Sequence, residues 1–283
     1  MTIGNIYIPL HDSIQLIINW INQKTNAIDT LNADKLRLID LLKEKRQAAI
    51  TEAVIKGLDP TVPMKDSGVE WIGDIPTRWI VKPFSQLFSF GRGLSITKAD
   101  IEDVGVPCVS YGSIHSRYGF ALDTAIHSLP CVNEQYLSSS PNSLLKYGDF
   151  VFADTSEDIE GAGNFTYLNS NESVFAGYHT IIAKNKNEQN CRYLAYLFES
   201  LPFRTQIRSR VFGIKVFSIT QKILKSTKVI LPPSQEQDSI VDYLDKKTIT
   251  IDTLIADITS QIEKLREYRQ SIISEAVTGK VEI

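Results

Sequence analysis

Residues Ile251–Lys280 read IDTLIADITSQIEKLREYRQSIISEAVTGK, and residues Ile28–Gly57 read IDTLNADKLRLIDLLKEKRQAAITEAVIKG. The two stretches align at a constant offset of 223 residues, which sets Asp29 against Asp252 and runs from the neighbourhood of Pro9 and Pro232 to Val54 and Val277. Lys24-Thr25 matches Lys247-Thr248, Arg46-Gln47 matches Arg269-Gln270, and Glu52-Ala53-Val54 matches Glu275-Ala276-Val277. A repeat seen only twice excludes a solenoid. Each copy is free of proline, nearly free of glycine and apolar at helical spacing, so each is predicted to be a helix.

In the second copy Ile251, Ile258, Leu265 and Ile272 step by sevens, and Leu254 and Tyr268 are expected on the intervening seam, the a/d pattern of a coiled coil. The first copy keeps Ile28, Leu42 and Ala49, with Leu31 matching Leu254, while Lys35 interrupts the stripe. At ~1.5 Å per residue each helix would be roughly 60 Å long, more than a domain of this size needs for its own core. Pro232-Pro233-Ser234 precedes the second helix and Gly279 follows it, while Gly57 and Pro60 close the first. A helix entering and a helix leaving one globule can lie antiparallel and bury each other's stripes. The expected fold is therefore α+β: a globular domain over residues 65–230, flanked by helices in 1–60 and 232–283 that form an antiparallel coiled-coil hairpin. Within the domain, β-like runs at Val106–Tyr111, Phe150–Phe152, Phe165–Tyr167 and Tyr178–Ala183 alternate with Gly, Asn and Ser clusters. Short helices are expected at Tyr193–Leu201 and Ser218–Leu224.

With 283 residues, 43% of them hydrophobic and 22% charged, the chain can bury one large core with elements to spare. No apolar run reaches the roughly 18 residues of a membrane span, and no leader pattern opens the chain, so the expected compartment is the cytoplasm. Cys108, Cys131 and Cys191 lie far apart without a CxxC pair, which argues against disulfides and zinc. The net charge of −3 conceals a polar distribution: from Cys191 to Lys228 eight basic residues face one acid, whereas Asp149–Glu160 carries five acids and no base.

Catalytic signatures are wanting. Gly161-Ala162-Gly163 is a lone GxG and reads as a turn, and no Asn-Pro-Pro or Asp-Pro-Pro with a following aromatic marks an adenine methyltransferase. The Asp154, Glu157, Asp158 and Glu160 carboxylates lack a following ExK at nuclease spacing, and the four histidines show no i, i+4 pairing for zinc. What remains suits the reading of double-stranded DNA. Arg204, Arg208, Arg210 and Lys215 surround Val211-Phe212-Gly213-Ile214 and are the candidate phosphate contacts. Loop residues Tyr111, Ser113 and His115, with Thr155, are the candidate base readers, and Lys98 and Arg117 add nearby donors.

Around these residues the sequence carries a set of motifs that resembles the specificity subunits of type I restriction–modification systems. The motifs are Asp66-Ser67-Gly68-Val69-Glu70-Trp71-Ile72-Gly73-Asp74-Ile75-Pro76 leading to Trp79, Val109–His115, Tyr147–Ala153, Gly213-Ile214-Lys215-Val216, Leu231-Pro232-Pro233 followed by Glu236-Gln237, and Tyr268-Arg269-Gln270 to Lys280. Each is weak alone; their order along nearly the whole chain makes the resemblance specific. It implies that residues 65–230 form a target-recognition domain and that the repeats are the family's conserved spacer helices, with Ile28, Leu31, Leu42, Ile251, Leu254, Ile258, Leu265 and Ile272 on their interfaces. Such subunits do no chemistry. They direct adenine methylation and restriction to a bipartite site, and S-adenosylmethionine, ATP and magnesium belong to the partner methylation and restriction subunits, so no cofactor is expected here.

The chain departs from that pattern in holding helix, domain, helix where full-length members hold two recognition domains. Glu236-Gln237 also falls opposite Ser13-Ile14, so the first copy starts without the acidic pair. Because Ile8-Pro9-Leu10 resembles Leu231-Pro232-Pro233, the chain is expected to begin where an upstream domain once ended. Two copies about a two-fold axis would restore two recognition domains and a palindromic site, and a different half-subunit would give an asymmetric one. The alternatives are a scaffold that binds methylation subunits without reading DNA, and an unrecognised nuclease or methyltransferase resting on the acidic loop.

Overall fold

A computed structural model describes residues 11–186, 189–213 and 215–280. The Ile8-Pro9-Leu10 segment, the Ser13 side chain and Ile214 lie outside what it describes. The chain divides into two compact units, one of residues up to Arg46 together with those from Lys246 onward, the other Gln47–Asp245. The long helices are His11–Lys56 and Ser234–Val277, so both repeats are helical as their spacing predicts. Gly57 and Gly279 follow the two helix ends at φ 79° and 71°, in the left-handed region where glycine costs least. Among the described residues no helix is long and apolar enough to cross a membrane.

In the first unit the two helices run antiparallel, since Asp29, Lys35 and Arg46 meet Arg269, Gln261 and Asp252 in that order. The expected rows through Ile251, Ile258 and Ile272 are buried, with Leu265 half-buried. Leu254 and Tyr268 are not on the seam: they are 45% and 59% exposed, and Leu31, the repeat partner of Leu254, is 45% exposed. The second row instead lies one residue further on, at Ile255, Ile262, Arg269 and Ala276. The alternation is 4-3 from Ile251 rather than 3-4, and the first copy follows it through Ile28, Asn32, Lys35, Ile39, Leu42 and Arg46. Ile39, Ile258 and Ile262 form the seam's buried cluster, with Leu42 and Ile255 against it. Lys35 stays in the stripe because its Nζ reaches Gln261 Oε1 at 2.6 Å, the apolar stem covering the seam while the ammonium leaves it.

The second unit is built on a mixed five-stranded sheet in the order Phe88–Arg92, Thr180–Asn185, Phe150–Ala153, Phe165–Leu168, Phe120–Leu122, antiparallel except for the last pair. A four-stranded sheet follows the order Cys131–Val132, Val106–Val109, Val174–Ala176, Leu144–Leu145. Strands Phe150–Ala153 and Phe165–Leu168 are buried at every position, because both faces of the sheet are covered; hence the uninterrupted apolar run FVFA in the first, while Thr166 is the one polar interruption of the second. Phe150, Phe152 and Phe165 face one cluster, where Phe198 stacks on Phe203 at 4.5 Å between ring centroids. Val151, Ala153 and Ile182 face another with Val109, Ile114 and Leu122. Trp79 of the entrance motif is fully buried in the first cluster, a structural role, while Trp71 is exposed.

Local differences from the sequence reading have local causes. Tyr111 opens a short helix, Tyr111–Ser116, where a strand end and loop were expected. A second helix, Leu201–Arg208, follows Cys191–Glu199 directly, with Pro202 in its first turn, where proline's missing N–H costs nothing. Ser218 belongs to a two-residue strand, Phe217–Ser218, and the helix starts only at Gln221, after Thr220 accepts the Ile223 N–H.

Candidate nucleic-acid interface

The strand Thr155–Ser156 pairs antiparallel with Phe217–Ser218, which brings the acidic turn that follows Ser156 beside the chain leaving the basic segment. The helix Tyr111–Ser116 approaches the same place from the end of strand Val106–Val109. Together they enclose an open cleft of about 630 Å³ lined by Tyr111, His115, Thr155, Glu157, Glu160 and Asn164, among others. Three of the four candidate base readers, from segments some forty residues apart, thus converge on one cleft. Ser113 lies inside the helix, its backbone N–H on Ser110 O and its side chain outside the cleft lining, and Lys98 and Arg117 lie exposed away from that lining.

A chain of hydrogen bonds fixes the floor of this cleft. Arg204 Nη1 donates to Asn164 Oδ1 at 2.7 Å. A guanidinium can only donate, so Asn164 presents its oxygen to Arg204 and its amide to His115. Asn164 Nδ2 then donates to His115 Nδ1 at 2.8 Å, and His115 Nε2 donates to the Thr155 carbonyl at 2.8 Å. The arrangement specifies a single tautomer of the neutral ring, protonated on Nε2. Arg204 therefore turns inward: it is partly buried, and burial, with Arg208 one turn away, pulls its pKa down to about 10, still a charged group at neutral pH. Instead of an exposed phosphate contact, it is the anchor of a positioning chain that runs through Asn164 and His115 to the Thr155 carbonyl.

The other basic residues divide. Arg208 is half-buried and its Nη2 donates to the Glu160 carbonyl, fastening the acidic turn to the helix Leu201–Arg208; burial lowers its pKa while Glu160 and Asp158 oppose that. Arg210 and Lys215 are exposed, Arg210 lightly tethered through Nη1 to Ser226 Oγ at 2.7 Å. Within the acidic turn Asp158 Oδ1 accepts the Gly161 N–H at 2.6 Å, so that carboxylate shapes the loop, while Glu157 and Glu160 remain exposed. Among the described residues no group of three or more His, Cys, Asp or Glu is arranged to hold a metal ion.

One cleft residue, Asn164, and one neighbour of the lining, His179, escaped the sequence reading. Asn164 has no signature in one sequence, because its role exists only once Arg204 and His115 arrive beside it. His179 sits next to Tyr111, with ring centroids 5.3 Å apart, and its Nδ1 lies 3.2 Å from Asp154 Oδ1. Its backbone adopts φ 55°, a conformation that non-glycine residues hold only where the surroundings enforce it.

The second unit is thus a loop-rich α+β domain with a polar cleft, and the first pairs a helix with its own repeat. Residues 76–264 match the type I restriction modification DNA specificity domain, and the chain belongs to that family. It is 24% identical over 284 aligned residues to the type I restriction enzyme MjaVIII specificity subunit of Methanocaldococcus jannaschii, covering 99% of this chain and 63% of that one. The fold is similar to a chain from a structure concerned with assembly and conformational transition of the type I R-M system, at TM-score 0.71, 16% identity and 97% and 61% coverage. It is also similar to the HsdS subunit of Thermoanaerobacter tengcongensis, at TM-score 0.55, 15% identity and 97% and 60% coverage. The chain thus spans about three fifths of the length of the relatives it matches.

Proposed function

We propose that this chain is a non-catalytic specificity subunit that reads double-stranded DNA and directs adenine methylation and restriction by partner subunits in the cytoplasm. The observation that carries this reading is the convergence of Tyr111, His115 and Thr155 on one polar cleft, with His115 held in one tautomer by Asn164 and Arg204. A reader of base edges needs a rigid frame before contact: His115, with both ring nitrogens engaged by Asn164 and the Thr155 carbonyl, ties the cleft's walls together, and Tyr111, Glu157 and Glu160 supply the groups that can face a base. Glu157 and Glu160 at the cleft would repel phosphates but accept from the amino group of cytosine in the major groove, while exposed Arg210 and Lys215 supply positioning contacts to the backbone. The helices are the docking element for the methylation subunits, and a second copy of the chain supplies the second recognition domain of a bipartite site.

The test is adenine-methylation mapping of genomic DNA from cells co-expressing the chain with its cognate methylation subunits, against cells without the chain. A chain-dependent bipartite palindrome is the expected result. An asymmetric bipartite motif would replace the second copy with a different half-subunit. No new motif, with the complex still assembled, would overturn DNA reading and leave a scaffold that binds methylation subunits through its helices.

A further inference from the structure

All twelve phenylalanines of the chain are described, and eleven of them are buried or half-buried. The exception is Phe212, at 87% exposure the most exposed large hydrophobic side chain among the described residues. Its position is built rather than accidental. Val211 before it is buried in the main core, and Phe217 after it packs on the same core and begins the strand paired to Thr155–Ser156. At Gly213 an added Cβ would lie 2.1 Å from the Val216 carbonyl oxygen, so the backbone doubles back against itself there and admits no side chain. Phe212 is therefore held in solvent between a buried Val211 and a constrained Gly213, four residues before Val216, which helps to line the cleft.

The surroundings decide what such a ring is for. Arg210 and Lys215, both exposed, flank it. An exposed aromatic ring framed by cations suits a polyanion with stacked apolar planes inside it, and the nearby exposed Val216 adds only a small apolar surface beside the ring. Apolar wedges of this kind open a base step and kink the duplex, and an aromatic ring gains by stacking on the bases it separates. We propose that Phe212 is a wedge that inserts between neighbouring bases at the rim of the recognised sequence. It makes the deformability of that step part of the specificity read by the Tyr111–His115 cleft. The inference rests on the DNA-reading function proposed above.

The experiment uses the full chain assembled with its methylation subunits and a duplex carrying the mapped motif, with 2-aminopurine placed in turn at positions in and beside each half-site. Phe212→Ala and Phe212→Trp are compared with the wild type. Wild-type binding should raise the fluorescence at one step, the mark of unstacking. Phe212→Ala should abolish that rise and weaken binding about 5- to 100-fold with no change in salt slope, since no charge is lost, whereas Phe212→Trp should retain both. An exposed residue leaves folding intact, which an unchanged melting temperature checks. Tight motif-specific binding without a fluorescence rise, or a Phe212→Ala variant within twofold of wild type, sinks the wedge but spares the DNA-reading function. Failure of the wild-type complex to bind any duplex sinks both. Loss of assembly with the methylation subunits in Phe212→Ala assigns the ring to a protein contact instead.

Discussion

Replacing Asn164 with alanine tests the positioning chain at its middle link. The carboxamide accepts from a charged, partly buried guanidinium at 2.7 Å and donates to a histidine nitrogen at 2.8 Å. Its own backbone remains in place, the N–H on Gly161 O and the carbonyl accepting from Ala153, so the loss is confined to the side chain. A hydrogen bond from a charged donor contributes about 1.5–3 kcal/mol and a neutral one about 1 kcal/mol. Water entering from the open cleft recovers part of this, so the expected cost is about 2–4 kcal/mol. For a unit of this size that lowers the melting temperature by roughly 5–15 °C. Asn164→Asp should cost less in stability, because a carboxylate still pairs with Arg204, yet it cannot donate to Nδ1 of neutral His115. Thermal unfolding reads the first effect, and nitrogen NMR of the imidazole reads the second. In the wild type His115 should be the Nε2–H tautomer, and Asn164→Ala should release that preference. A stability loss under about 1 kcal/mol with the tautomer unchanged, against the 2–4 expected, would show that the chain of bonds positions nothing.

The remaining predictions address the hairpin and pH. Ile262, 3% exposed in the seam, should cost about 2–4 kcal/mol on truncation to alanine, whereas Leu254→Ala should stay within about 0.5 kcal/mol, as measured by urea unfolding followed by helical circular dichroism. The reverse ranking would restore the 3-4 seam. Asp149 is buried beside the strand end at Phe150, and burial raises its carboxyl pKa despite N–H bonds from Lys146 and Asn185. With the folded value above the unfolded one, about 3.9, the native state binds the extra proton. Stability from this group is present below that pH and is lost as pH rises through the folded value. The unfolding free energy of wild type relative to Asp149→Asn should therefore fall as pH rises from about 4, and a difference that rises instead would refute the assignment.

The repeat made the two long helices and the bounded domain legible, because a 223-residue offset with shared helical periodicity requires no knowledge of tertiary contacts. The seam was misplaced by one residue for a physical reason. Both Leu254 and Ile255 are apolar, and a helix with apolar residues at i+3 and i+4 supports either stripe until a partner chooses. The cleft was legible in part: Tyr111, His115 and Thr155 were readable as polar loop chemistry, but the inward turn of Arg204 was not. An arginine in a basic run is read as exposed, and only the tertiary approach of the helix Leu201–Arg208 to the turn that precedes strand Phe165–Leu168 brings Asn164 within its reach. Asn164 and His179 carry no local pattern, since their roles are set by long-range neighbours and by an enforced backbone conformation.

The hairpin also shows how a nearly symmetric repeat avoids a symmetric mistake. Arg46 Nε meets Asp252 at 3.0 Å and Arg269 Nε meets Asp29 at 2.8 Å, and at the 223-residue offset these are the same pair formed twice, once in each direction. Such an isologous contact would serve equally for two first helices or two second helices from different chains. These pairs are partly solvent-exposed and contribute modestly to stability, so they set register more than strength. Discrimination comes from seam positions at which the copies differ. Lys35 finds an acceptor in Gln261, but the first copy has Leu38 at the place of Gln261, so two first helices brought together would leave the ammonium against a leucine. Asn32 adds to this, for it enters the seam where the second copy has Ile255, and polar residues in a coiled-coil seam trade stability for the choice of partner. The interruption of the stripe that weakens the first copy as an isolated helix is thus what makes the second copy its preferred partner.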